Sequence, residues 1–247
     1  MHGGSAHVGN RLIGSVNIGG GTNTIQVPST PLGWTAMPRL DFGYRLGQGA
    51  GELLVSYRAT ATSGSRSIAA NDFSTIRSRF QTHQADFAYA SREDWALPGW
   101  VLRWQAGARL ASVFFDSQGR GVSQVERVAN EFIGVGPQFG LEMRRPTNIA
   151  GLSPFIRLDA AWVVGRIEQT FQESTNTPDS GLTRLAQIRS SPSFGFAVGL
   201  VWSPPNCERL CFVVGYAVEQ WWDIGQVQGS RAEATIQGLL FRGEWRF

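Results

Sequence analysis

Few residues in this chain have the types and spacing that chemistry requires. Gly134-Val-Gly-Pro-Gln-Phe-Gly140 invites a dinucleotide-loop reading. Its third glycine falls one place late, Pro137 interrupts it and no helical pattern follows, so period-two glycine on one face of a strand explains it better. For hydrolysis, Asp86, Asp159 and His83 are the only suggestive types. No nucleophile elbow or zinc motif accompanies them, which leaves only a carboxylate pair drawn from different strands. His2, His7 and His83 make no metal-ligand spacing with Cys207 and Cys211. The two cysteines flank a tight turn; a small disulfide in an oxidising envelope and two thiols both fit that spacing. No catalytic residue, metal or cofactor is therefore expected, and the chain is not read as an enzyme.

The remaining charged groups follow a rule. Arg39, Asp41 and Arg45 alternate with Leu40, Phe42 and Tyr44. The same holds for Glu52 and Arg58, Asp86, Arg103 and Arg109, Glu142 and Arg144, Arg157 and Asp159, and Glu219. Near the end, Arg242, Glu244 and Arg246 alternate with Phe241, Trp245 and Phe247. A β-strand sends alternate side chains to opposite faces, so each segment has one greasy face and one ionic face. These charges are expected to line a common lumen, as a selective pore or as an ionic filling.

The elements that position them are short alternating runs. They lie at about residues 8–18, 36–46, 51–61, 82–92, 100–114, 131–144, 153–166, 194–202, 210–218 and 235–247. Short turns follow Leu46, Arg92, Arg144 and Trp202; long polar loops are expected at 62–81, 116–129 and 167–191. About ten strands of roughly 9–11 residues, with short turns at one end and long loops at the other, describe an all-β, closed, antiparallel, up-and-down transmembrane barrel. It would occupy residues 1–247 as one domain. In this register Tyr44, Trp100, Trp202, Trp245 and Phe247 gather at the periplasmic edge, and Trp162, Phe194 and Trp222 near the external edge. Two interfacial girdles follow, because amphipathic rings prefer headgroup depth.

Composition agrees. No run of about 18 apolar residues offers a transmembrane helix, but a barrel needs none. The 22 basic residues are all arginine. They are scattered singly at strand spacing, which is not a nucleic-acid footprint. A soluble barrel would meet water with lysine and glutamate; here lysine is absent and the polar face is Gly, Ala, Gln and Arg. Met1-His-Gly-Gly-Ser lacks a basic n-region and an apolar core, so an upstream leader is expected to be missing from the sequence.

Five stretches resemble the Legionella-type family of pore-forming outer-membrane proteins. They are Asp41-Phe-Gly-Tyr-Arg-Leu-Gly, Phe132-Ile-Gly-Val-Gly-Pro-Gln-Phe-Gly-Leu-Glu, Gly151-Leu-Ser-Pro-Phe-Ile-Arg-Leu-Asp, Gly215-Tyr-Ala-Val-Glu-Gln-Trp-Trp and the terminal Phe-Arg-Gly-Glu-Trp-Arg-Phe. The likeness spans about residues 36–247 and implies an outer-membrane barrel with channel activity and no catalytic residues. The terminal Phe247 is similar to the signal read by the barrel assembly machinery, which with the lipid bilayer is the expected partner. About ten strands sits near the filled end of the barrel series, so a narrow or plugged lumen is expected ahead of a freely conducting one. If it conducts, the arginine excess favours small anionic solutes. The alternatives are a filled barrel whose external loops bind a partner and, less favoured, an envelope hydrolase.

Overall fold

A computed structural model describes residues 2–11, 13–18, 21–25, 27–70, 73–92, 94–122, 124–147, 149, 151–175, 180–205, 210–225 and 230–245. The chain forms β1 (His2–Arg11), β2 (Gly14–Ile18), β3 (Gly21–Ile25), β4 (Trp34–Met37), β5 (Arg39–Arg45), β6 (Glu52–Ala70) and β7 (Phe73–Ala90). It continues with β8 (Asp94–Leu97), β9 (Trp100–Gly121), β10 (Gln124–Arg144), β11 (Leu152–Thr175), β12 (Ser180–Trp202), β13 (Leu210–Trp221) and β14 (Arg231–Trp245).

The main sheet runs β4-β1-β14-β13-β12-β11-β10-β9-β7-β6-β5, with β8 on β9 and every pairing antiparallel. β4 and β5 are one run broken at Pro38, whose missing N–H interrupts the ladder. Taken together they leave ten long strands in an up-and-down sheet. The two ends of the sheet order thus adjoin in the chain. β4 pairs with β1, β5 pairs with β6, and Ala59 N donates to Pro38 O at 3.2 Å.

Strand length departs from expectation. β6, β7, β9, β10, β11 and β12 run to 18–24 residues. Residues 62–70, 73–81, 116–121, 124–129, 167–175 and 180–191, expected in polar loops, are their extensions. Composition misleads there because a strand with water on its outer face reads as Ser, Thr, Gln and Arg. The first strand is also shifted. Residues 8–18 divide between β1 and β2, and β2 pairs only with β3 as a separate hairpin.

The outer face carries Leu40, Phe42, Tyr57, Phe87, Leu110, Val135, Phe139, Trp162, Val198, Val214 and Phe241, all well exposed. The opposite face is buried. Near the short turns it carries the ionic residues, with Phe155, Val201, Val213 and Leu240 forming a smaller apolar cluster beside them, and towards the other end a core of Phe80, Val113, Phe115, Val128, Phe132, Val163, Ile167 and Phe171. Val16 and Ile25 of the hairpin, both fully buried, pack into this core.

Candidate functional site

Arg109 is the hub of the ionic zone. Its Nε and Nη2 grip Asp86, its register partner on β7, at 2.8 and 3.0 Å. Nη2 also donates to Gln138 Oε1 at 3.4 Å, and Nη1 to Ser193 Oγ and Glu219 Oε1 at 3.4 and 3.5 Å. Glu219, on β13, also receives Arg58 of β6 at 2.7 Å and the indole N–H of Trp221 at 3.0 Å. Two-pronged guanidinium–carboxylate contacts in a confined space are stronger than neutral hydrogen bonds and hold both partners in one orientation.

Around this hub the same-face, period-two pairs form. Arg39 holds Asp41 at 2.8 Å, Arg157 chelates Asp159 at 2.8 and 2.9 Å, and Arg144 meets Glu142 at 2.6 Å. Arg103 reaches Glu52 at 2.5 Å and Arg242 approaches Glu142 at 3.9 Å. Gln105 Nε2 donates to Asp159 Oδ1 at 3.2 Å. Gly140 permits that reach, since a Cβ there would lie 2.6 Å from Gln105 Nε2. A cavity of about 60 Å³ remains among these groups, with Arg39, Arg58, Arg109, Arg157 and Arg242 on its wall against Asp159 and Glu219.

Not every expected lining residue lies here. Arg45 ends its strand exposed to solvent. The side chains of Glu244 and Trp245, together with Arg246, Phe247 and Cys207, lie outside the described residues. Cys211 is buried. Of the expected interfacial aromatics, Tyr44, Trp162, Phe194 and Trp202 are exposed on the outer face; Trp100 is half-buried beneath Arg145, 5.8 Å from its ring, and Trp222 is half-buried. His83 lies on the outer face, stacked on Tyr57 and bonded to its hydroxyl at 2.8 Å, so it sits opposite Asp86. Asp86 and Asp159 are each held by an arginine. The three groups considered for hydrolysis are not brought together.

The apolar zone was missed by sequence reading, and its parts are pinned by polar contacts. Gly14 lies flat against the Phe171 ring with no room for a Cβ. Asn23 of β3 donates to Glu173 Oε2 at 3.3 Å. The strap after β3 is tied by Ser29 Oγ to Val8 O at 2.9 Å, by Thr30 N to Ser78 Oγ at 3.1 Å and by Ser117 Oγ to Pro28 O at 2.9 Å. After β13 the chain turns inward through Asp223, at φ 57°, and buries Ile224. Asn130, Gln169 and Ser191 donate to the carbonyls of Ile224, Gly225 and Trp222 at 2.7, 2.8 and 2.7 Å. Trp221, beyond the expected strand at 210–218, points inward and is buried.

No protein-family model matches the chain, and no curated protein or solved structure matches it either.

Proposed function

We propose that the chain is a bacterial outer-membrane β-barrel whose lumen is filled, by ionic side chains in its membrane-spanning half and by the β2–β3 hairpin in its external half. One observation carries the reading. Along β9, β10 and β11 the large apolar residues pass from the outer to the inner face within a few register rows, with Val163 already inward beside Val164 and Ile133 still outward beyond Val135. Leu110, Val135 and Val164 are mutual partners and point outward. Three residues further from the ionic zone, Val113, Phe132 and Ile167 are mutual partners and are buried on the inner face. A strand prefers apolar side chains outward where lipid surrounds it and inward where water does. A changeover confined to a few rows is what the edge of a bilayer would produce.

The adjoining strands β4 and β5, with partners on either side of Pro38, support closure into a ring of ten. Closure would also remove the edges that a membrane cannot tolerate. In the apolar surroundings the paired arginines and carboxylates balance one another, which suits a barrel narrow enough to be packed with side chains. Insertion is tested by flotation with liposomes and by gel mobility in SDS before and after boiling. A chain that stays in the aqueous fraction and shows no heat-dependent shift would end the proposal.

A second reading, a narrow pore for small anions, draws support from the cavity with five arginines against two carboxylates. It agrees with the function implied by the family resemblance. It requires the hairpin to move, and conductance in planar bilayers decides between the two: steady anion-favouring current in the unaltered protein would favour the pore.

A further inference from the structure

We propose a site on the outer wall, just beyond the apolar band, for the phosphorylated headgroup of a glycolipid in the external leaflet. The proposal rests on the membrane reading above. Trp34 of β4 and Arg77 and Arg79 of β7 bound a cleft of about 490 Å³, whose floor is Ala61 and Ser63 of β6. The cleft exists because small residues separate a large indole from two long guanidinium side chains. Thr35 Oγ1 donating to Ala61 O at 2.7 Å and Gly33 N to Ser63 O at 3.2 Å fix the indole-bearing segment against β6. Both walls are thus carried by strands, which holds their spacing.

Three observations point to the ligand. First, both arginines are exposed and no carboxylate among the described residues pairs with either. The register neighbour of Arg79, Asp116, is gripped by Arg127 at 2.8 and 2.9 Å. Two exposed guanidinium groups on one strand face make a fork for phosphate oxygens. Second, the position is right for a headgroup. Among the described residues, Tyr57 is the last large apolar one on the outer face of β6. Ala61 lies four residues on, about 13 Å along the strand at roughly 3.3 Å per residue. Third, Trp34 is 75% exposed. An indole with one flank in acyl chains and one against a sugar ring is a usual interfacial arrangement. A peptide strand would need an open ladder at this place, but β6 is already bonded on both sides here.

The test is native mass spectrometry of the folded protein in detergent with lipid A, dephosphorylated lipid A or soluble glucosamine 1-phosphate. We expect one retained lipid A, at least tenfold less of it in the Arg77→Gln/Arg79→Gln double variant, and a similar loss with the dephosphorylated lipid. Ser63→Leu, which keeps both charges but fills the floor, should lose it too. Heat-dependent gel mobility confirms that each variant is folded; should the double variant misfold, Ser63→Leu carries the test. Equal retention by wild type and the folded variants would overturn the site. Equal binding of the soluble sugar phosphate would overturn its assignment to a lipid. A protein that does not enter liposomes sinks this inference together with the membrane reading, whereas one that inserts but retains no lipid A selectively sinks this inference alone.

Discussion

Arg58 Nη2 and Glu219 Oε2 meet at 2.7 Å although 161 residues and five intervening strands of the sheet order separate them. Such a contact requires the sheet to curl over its polar face, and it ties β6 to β13 directly. Glu219 also faces Arg109, so it serves two guanidinium groups at once. Replacing Glu219 by Gln leaves Arg58 without a carboxylate in a confined space. Breaking a buried pair on one side typically costs roughly 3–5 kcal/mol, whereas replacing both members by apolar groups of similar volume is often neutral or stabilising. Urea unfolding in lipid should therefore show a marked loss for Glu219→Gln and a much smaller change for Arg58→Met/Glu219→Met. Equal losses would show that this contact does not hold the curl.

The hairpin is the element whose removal should matter most for permeability. Val16 and Ile25 fill the apolar zone, and Gly14 sits against Phe171. Gly14→Val should displace the hairpin, and deleting residues 14–25 should remove it. Either change is expected to raise single-channel conductance in planar bilayers well above that of the unaltered chain. Unchanged current in the folded deletion variant would mean that the ionic zone alone blocks passage.

The acidic pair beside the hairpin makes its seating depend on pH. Glu126 faces Glu173 across the β10–β11 ladder, beyond the apolar band. Burial, then repulsion from Glu173, pushes the Glu126 carboxyl up to about 7 from its ordinary 4.5. A carboxyl raised in the folded state binds a proton there that the unfolded chain has released. Stability in this region is therefore greatest below about pH 4.5 and falls as pH rises towards 7. Asn23, bonded to Glu173, connects that change to the hairpin. Protection factors of the hairpin amides, referenced to the intrinsic exchange rate at each pH, should be lower at pH 8 than at pH 5, and Glu126→Gln should flatten the difference. A slope that survives the substitution would assign it to another group.

Charge placed on the outer face should be costly in the band and tolerated beyond it. Val198 lies in the middle of the outward apolar run of β12, and Ile188 lies on the same face of the same strand outside it, 78% exposed. Arginine at Val198 is expected to cost about 2–4 kcal/mol, and at Ile188 close to nothing. Folding titrations into lipid bilayers compare the two. Similar costs would remove the boundary inferred from the switch in faces.

The alternation around Leu40, Trp104, Val135, Val198 and Phe241, with arginine and carboxylate between, determined that these runs are strands and which residues share a face. Those are local properties, because the period of two acts on every strand separately. Ion pairs two residues apart, such as Arg157 with Asp159, followed from the same rule. The long strands were legible too, had the phase been followed rather than the composition. Phe80, Phe115, Phe132 and Phe171 keep strand spacing through stretches rich in Ser, Thr and Gln, but on the opposite face from Phe87, Leu110 and Val135.

Which charges meet across the curl was decided only by tertiary structure. Arg58 reaches Glu219 through the curl, and Gln105 reaches Asp159 across Gly140, the register partner of both, and no pattern within one strand encodes either. The same is true of the hairpin. Gly14 and Val16 read as part of another short strand, and Ile25 as part of none, until the sheet curls and leaves a space of their size beside Phe171. A strand's own residues fix what each of its faces prefers; the content of the space those faces enclose is fixed by the enclosure, which depends on all the strands at once.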